Sequence, residues 1–532
     1  LIINIRNSSF MMMMTTASTP ATTATQAPSA DFFCTYDLRA IVTPDVFDET
    51  TYSLLGKAFT YWLQTYKGWD VTHMPTISVG YDARIHSKAL TNAFIDSVTE
   101  MGIHVLKLGM VPSPLVYFSE YFCLDAFGLP KPQASVVVTA SHNPAPYNGM
   151  KLCINGLSMN KEELLEFKAC FLKIATGEVE ATPFGNDKIG HITYWSPLEA
   201  YAKWATEQFG RFPTRPKVVV DCGNATAGVI APQVLEALGC DVVPLFAEPD
   251  GNFPNHHPDP CVHANLRFLK DAVLANQADM GIAFDGDSDR VGVVDAQGRV
   301  ISGDMLLIFL TQDMLAHGTF ETPPTVVSEV KCSQHLFDTV ATLGAVPVMS
   351  PTGHAYIKQK MREIDAKLGG ELSGHFFFRD THWGFDDGIY AALRLVRFLD
   401  DARRVDPNAT MATLYETLPH SFLSEELRLP VPVAYRADVM KALHQAVEPL
   451  QHFAELPVVS IETIDGIRFN VQGGFWLCRV SNTEPVLTLR WEAPSADHLT
   501  AIESALHQVL ASVITPIVPN WHLSEALAGG GH

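Results

Sequence analysis

The chain is short of charge, and of positive charge above all: 18% of its 532 residues are charged, 58 acidic against 37 basic, for a formal net charge of -21. A nucleic acid or an anionic membrane surface would need a basic face, so neither is expected as a partner. Runs of about eighteen or more apolar residues are missing, which leaves no helix to span a bilayer. The nine cysteines are scattered at irregular spacings without a Cys-x-x-Cys pair, giving neither a disulfide framework nor a zinc knuckle. A reducing, cytoplasmic setting and a small-molecule partner fit these absences. With 47% hydrophobic residues, the chain has material for several buried cores and exceeds one domain.

The first thirty residues differ from the rest. Arg6 is the only charge before Phe10, four methionines follow at Met11–Met14, and a Thr/Ala/Ser/Pro tract runs to Ala30. Such a composition predicts a disordered tail. Its lack of acids and its many hydroxyls match a transit peptide, although the several arginines of such a peptide are missing. Translation starting at one of the four methionines is the other reading.

Two segments carry chemistry. Asp285-Gly-Asp-Ser-Asp-Arg290 follows the apolar run Met280–Phe284 and places carboxylates at i, i+2 and i+4, hard oxygens suited to one small cation such as Mg2+. A calcium-binding EF-hand would need glycine and glutamate where this chain has Arg290 and Ala296. Thr139-Ala-Ser-His-Asn-Pro144 follows another apolar run, Ala134–Val138, so Ser141 lies where a buried strand reaches the surface and turns. The segment lacks the Gly-x-Ser-x-Gly elbow, and no neighbouring pattern supplies an acyl-transfer triad. A serine that carries phosphate, served by a magnesium loop, is the reading that uses both segments.

Together with Gly370-Glu-Leu-Ser-Gly-His375 and Arg479-Val-Ser-Asn-Thr-Glu-Pro485, these motifs make the chain resemble the α-D-phosphohexomutase family of phosphomannomutases and phosphoglucomutases, in the family's order and over nearly all but the first thirty residues. The resemblance implies a mutase that interconverts hexose 1-phosphates and 6-phosphates, of mannose and also of glucose. A phosphoserine at Ser141 and a hexose 1,6-bisphosphate intermediate would carry the phosphoryl group. It further implies Mg2+ held by Asp285, Asp287, Asp289 and the group on Ser141. Glu371, Ser373 and His375 would meet sugar hydroxyls, while Arg479, Ser481, Asn482 and Thr483 offer a guanidinium fork, hydroxyls and an amide to a phosphate. Tyr36 and Arg39 match the family's opening motif, with Ala40 in place of the usual glycine. Lys151, Lys331 and His354 match further family positions. Arg290 and Lys151 would stabilise the transferring group, and Lys151 or His375 would move the proton. A glucosamine phosphate as substrate and a catalytically silent sugar-phosphate binder stay open as alternatives.

Internal repetition predicts the architecture. Three segments read as strand, turn, amphipathic helix, strand: Thr76–Gly80 to Val105–Leu108, Lys217–Asp221 to Asp241–Leu245, and Thr325–Ser328 to Ala345–Val348. The helical spacing of Ile389, Ala392, Leu393, Val396 and Leu399 predicts a core helix closing the third unit. After it, Gly466–Val471 and Phe475–Val480 around Gly473-Gly474 predict a hairpin, then a strand at Val486–Trp491 and a helix from Ala496. The expected fold is α/β: three repeated domains with mixed, largely parallel sheets plus a smaller C-terminal α+β domain around a central cleft. The tail takes 1–30, and the domains take 31–190 with the serine loop, 191–298 with the metal loop, 299–408 with the sugar loop and 409–532 with the phosphate loop. A monomer or weak oligomer is expected, with a hinge near residue 410.

Overall fold

A computed structural model describes residues 29–34, 36–44, 46–122, 124–186, 188–481 and 485–529. Apart from Ser29 and Ala30, the expected tail lies outside the described residues, as do Asn482 and Thr483.

Valine-rich strands buried on both faces need helices on both sides, and the chain supplies them. In the first unit Thr76–Tyr81 runs parallel to His104–Met110 on one side and to Ala134–Val138 on the other; Tyr147–Ile154 then returns antiparallel. The second unit repeats this order with Lys217–Asp221 between Asp241–Leu245 and Met280–Phe284, and Val291–Asp295 returning. The third sets Thr325–Glu329 between Val346–Ser350 and Leu368–Gly370, with Phe376–Phe378 returning. Each sheet is thus built around three parallel strands and one antiparallel return, with further short strands added in the first two. The short strand Ile192–Tyr194 lies beside His104–Met110, so the first sheet takes a strand from just past residue 190.

The fourth sheet is built differently. Its strands pair antiparallel throughout, with Ile467–Val471 and Gly474–Val480 forming the hairpin and Val486–Ala493 following. Helices Val433–Val447 and Ala496–Ile514 pack on it. The helix Gly388–Val405 buries Ile389, Ala392, Leu393, Val396 and Leu399, as its spacing requires.

One continuous core joins the three repeats, running from Phe118 and Val137 through Val218 and Ile282 to Leu307, Phe376 and Leu393. The C-terminal domain has a core of its own around Leu443, Phe469, Trp476 and Leu506. Across the boundary, Val330 of the third unit packs on Phe475 and Leu477 of the fourth in a small cluster apart from both cores. Among the described residues every cysteine is a free thiol, and no helix is long and apolar enough to cross a membrane.

Burial also leaves one carboxyl group that makes stability depend on pH. Glu120, 3% exposed at the end of helix Ser113–Tyr121, accepts hydrogen bonds from Gly156 N at 2.7 Å and from the Ser135 hydroxyl. Burial pushes it up to about 7 from the ordinary 4.5. Between those values the folded chain keeps a proton that the unfolded chain has shed. The contribution, about 3 kcal/mol, is therefore full below the unfolded value and lost as pH rises through the folded one. Glu120→Gln should unfold at a higher temperature than the parent at about pH 8 and lose less of its midpoint between about pH 5 and pH 8. Equal losses in both chains would mean that Glu120 titrates normally.

Candidate active site

The three repeats present their chemistry at one corner. In each unit the loop between the third parallel strand and its antiparallel return meets its counterparts: the Ser141 loop follows Ala134–Val138, the aspartate loop follows Met280–Phe284, and the Glu371–His375 loop follows Leu368–Gly370. Loops at the carboxyl ends of parallel strands are where open α/β sheets bind ligands. Lys331 and His354 come from the same end of the third sheet, after its first and second strands.

Ser141 is 1% exposed and has φ 48, a left-handed conformation that costs a non-glycine residue energy unless its surroundings impose it. Those surroundings are explicit. Its N–H donates to Thr139 Oγ1 at 2.8 Å, and Thr139 Oγ1 in turn donates to Asp82 Oδ2 at 2.8 Å. Arg84 donates to the carbonyls of Ser141 at 2.8 Å, Asn143 at 2.6 Å, Pro144 at 2.6 Å and Tyr147 at 3.1 Å, and pairs with Asp82 at 2.9 Å. Gly286 lets the aspartate loop come close, since a Cβ there would stand 2.4 Å from the Ser141 carbonyl oxygen. The Ser141 hydroxyl donates to Asp285 Oδ2 at 2.7 Å and lies 3.1 Å from His142 Nδ1.

Asp285, Asp287 and Asp289 are fully buried, and one oxygen from each lies within 4.8 Å of the others. Asp287 Oδ1 has no hydrogen-bond partner among the described residues. Asp289 Oδ1 also has none, although His375 Nε2 stands 3.4 Å away. Burial, with the charges of Asp289 and Asp287, pushes the Asp285 carboxyl well above the usual range. Crowded like charges and orphaned oxygens fit a hard divalent cation, which would relieve both. A second trio, Asp289, His375 and Asp386, has the same compactness, but Asp386 already pairs with Lys358 at 3.0 Å and His354 at 3.0 Å.

The cations line the same space. Lys151 bonds Asp287 at 2.7 Å and touches Asp289; burial opposes its charge, but the two carboxylates outweigh that and raise it above the ordinary lysine range. Arg39 reaches Asn143 Oδ1 in the serine loop and pairs with Asp37 at 2.8 Å. Arg290 Nε lies 3.9 Å from Asp285 Oδ2 and 3.2 Å from His375 Nε2. For His375, burial and Arg290 oppose the proton, but Asp289 and Glu371 prevail and raise it to about 9. A protonated ring donates to Asp289 and Glu371; only a neutral one accepts from Arg290, and the carboxylates on both sides favour the former.

Beyond it, His375 Nδ1 meets Glu371 Oε2 at 2.8 Å and Ser373 Oγ at 3.0 Å, and its ring stacks on His354 at 5.6 Å. Burial works against the charge on Glu371, but its bond to His375 holds the carboxyl at about 2. Tyr36 stands edge-on to His354 at 6.0 Å. Lys331 Nζ lies 3.6 Å from Glu329 Oε2. From the C-terminal domain, Arg479 bonds Asp465 through Nε at 2.9 Å and leaves Nη2 buried without a hydrogen-bond partner among the described residues. Ser481 follows on the same strand end, its N–H on Val486 O at 3.1 Å; Asn482 and Thr483 lie outside the described residues.

Sequence reasoning missed Asp82, Arg84, Ser113 and His142. Ser113 donates to Asp287 Oδ2 at 2.5 Å, while the neutral form of His142 is enforced by burial and by Arg290 and Arg39. The repeat held one usable signal: Asp82-Ala-Arg84 follows the first strand of its unit, the place that Lys331 occupies in the third.

Comparison with known proteins matches each unit in turn. Family models described as phosphoglucomutase/phosphomannomutase alpha/beta/alpha domains I, II and III match residues 30–178, 199–298 and 302–422, and the C-terminal domain model matches 428–508. A Pseudomonas syringae pv. tomato protein named phosphomannomutase/phosphoglucomutase is 37% identical over 93% of this chain and 98% of its own length. The phosphoglucomutase of Neisseria gonorrhoeae is 34% identical over 91% and 97%. A crystal structure of a phosphoglucomutase/phosphomannomutase family protein from Burkholderia thailandensis superposes with a TM-score of 0.81 at 32% identity, over 92% of this chain and 99% of that one.

Proposed function

The chain belongs to the phosphoglucomutase/phosphomannomutase family, and from that premise we propose that it interconverts hexose 1-phosphates and hexose 6-phosphates, mannose and glucose phosphates alike, with Ser141 as the phosphoryl carrier. The observation that carries this reading is the Ser141 hydroxyl, 2.7 Å from a buried trio of carboxylates and ringed by Lys151, Arg290 and Arg39. A serine needs such a setting to hold and release a dianionic group. An intact trio and an intact serine favour the enzyme over a silent binder.

In the first half-reaction the bond from phosphorus to Ser141 Oγ breaks and a bond to the free sugar hydroxyl oxygen forms, while the hydroxyl proton passes to a base. The hexose 1,6-bisphosphate so made turns over in the cleft. Its other phosphoryl group then returns to Ser141 Oγ, and the vacated sugar oxygen takes back a proton. Asp285, Asp287 and Asp289 would hold Mg2+, which supplies charge neutralisation at the phosphoryl oxygens when bound. Lys151, bonded to Asp287 at 2.7 Å, brings a positive charge beside the transferring group. Glu371, Ser373 and His375 read the sugar, and Arg479 with Ser481, Asn482 and Thr483 grips the phosphate that is not reacting. The C-terminal domain, with its separate core, closes on the ligand and opens for the turn.

Phosphorus NMR tests the reading. Mannose 1-phosphate and glucose 1-phosphate, each with magnesium and a trace of hexose 1,6-bisphosphate, should both become 6-phosphates. Conversion of neither would turn attention to glucosamine phosphate and then to a silent binder. Chelation should stop the reaction and added magnesium restore it. Asp287→Asn should raise the magnesium needed for half-maximal rate by about tenfold or more, since one ligand charge in three is lost. An unchanged requirement would take the metal away from this loop.

A further inference from the structure

Arg468 is a cation where none is expected. It lies on the C-terminal domain's strand Ile467–Val471, is 1% exposed, and makes no ion pair with a carboxylate among the described residues. Burial lowers it to about 10, and Glu492 offsets that only in part. Removing a guanidinium from water without a carboxylate partner is costly, and an apolar side chain would fill the place more cheaply. What the arginine gains is a set of bonds across the domain boundary. Nη1 donates to the carbonyl of Val330 and, at 2.7 Å, to that of Cys332; Nη2 reaches Gln334 Oε1 at 3.3 Å. Its plane is fixed by Asn470 Oδ1 at 3.0 Å on Nε and by the Phe475 ring, whose centroid is 3.7 Å away.

The two carbonyls flank Lys331. On the same loop, Glu492 of the C-terminal domain accepts from Ser333 Oγ at 2.7 Å and from Gln334 N at 3.0 Å, and Val330 packs on Phe475 and Leu477. Bonds from Val330 N to Ser350 O at 3.1 Å and from Ser333 N to Asp304 Oδ2 at 2.9 Å tie the loop to its own domain as well. The peptide that carries Lys331 is therefore clamped between the two domains.

We propose that Arg468 is a positioning residue that makes the substrate grip of Lys331 depend on the seating of the C-terminal domain. The proposal rests on the mutase reading above and takes Lys331, which matches a family position, as one of its substrate-binding residues. When the domain that carries Arg479 lifts, the fork of Arg468 leaves the Val330 and Cys332 carbonyls and the Lys331 loop relaxes with it. A second link acts in the same sense: Asp465 Oδ2 accepts from Arg479 Nε at 2.9 Å and from Thr352 N at 3.0 Å, in the loop before His354. One motion thus loosens the phosphate grip and the sugar grip together, which a ligand that must turn around inside the cleft requires.

A double-mutant cycle on the full chain tests this, with glucose 6-phosphate binding read by calorimetry. Arg468→Met and Lys331→Ala should each weaken binding by about tenfold, and the double variant should bind no more weakly than Lys331→Ala alone. Losses that multiply would mean that Arg468 acts independently of Lys331, and unchanged binding in Arg468→Met would overturn the proposal outright. Should Arg468→Met fail to fold, Arg468→Lys replaces it in the cycle: it keeps the cation but has no further nitrogens for Asn470 Oδ1 and Gln334 Oε1, which fix the guanidinium on the Lys331 loop. If the parent chain binds no glucose 6-phosphate and converts no hexose 1-phosphate, the mutase reading falls first. Binding with multiplying losses overturns only the coupling.

Discussion

Ser141→Ala should lose turnover of both hexose 1-phosphates by a factor on the order of 10⁴ or more, while its unfolding midpoint stays close to that of the parent. Removing a covalent nucleophile takes away the reaction path itself, and losses of that size or larger follow in enzymes that rely on one. The backbone should tolerate the change. Alanine has the same Cβ as serine at φ 48, and Thr139 and Arg84 hold that conformation through main-chain atoms. Among the described residues, the side-chain bonds lost are the 2.7 Å contact to Asp285 and the 3.1 Å approach to His142. Intact mass supplies the second readout. The parent, mixed with hexose 1,6-bisphosphate, should gain the mass of one phosphoryl group and the variant none. Turnover above about one per cent in the variant would move the phosphoryl carrier to another residue.

The features that could be read from sequence are those set by neighbours along the chain. The apolar runs before Ser141 and Asp285 announce buried parallel strands, the spacing of Ile389 to Leu399 announces a core helix, and the glycine pair at 473 and 474 announces a hairpin. Local pattern suffices because strand, helix and turn are each decided within a few residues. The supports of the site are decided elsewhere. Arg84 meets Ser141 across 57 positions, Ser113 meets Asp287 across 174, and Arg468 meets Cys332 across 136. Nothing in Asp82-Ala-Arg84 or Gly466-Ile-Arg468 tells a buried rivet from a solvated charge, since only the packed chain removes the water. Lys151 shows the same limit in another way. Its position was legible, but the carboxylates that favour its cation, Asp287 and Asp289, are brought to it by a different domain.

Arg84→Met should damage stability and rate separately, and a second substitution should pull the two apart. Asp82 is 1% exposed, and with the guanidinium gone its carboxylate stays buried with only hydroxyl and amide donors around it. Breaking a buried pair from one side typically costs about 3–5 kcal/mol, enough to lower the unfolding midpoint by several degrees. Adding Asp82→Asn removes the stranded charge while the amide oxygen can still accept from Thr139, so most of that loss should return. Turnover should not. The carbonyls of Ser141, Asn143, Pro144 and Tyr147 would still lack the fork that holds them, and the left-handed Ser141 would sample other conformations. A nucleophile that is misplaced by about an ångström loses on the order of 10² in rate even when every reacting group is present. We therefore expect the double variant to be stable, to bind glucose 6-phosphate nearly as well as the parent, and to transfer phosphoryl groups about a hundredfold more slowly. If rate returned together with stability, Arg84 would matter only as the counter-ion of Asp82, and the conformation of the serine loop would have to be held by Gly286 and Thr139 alone.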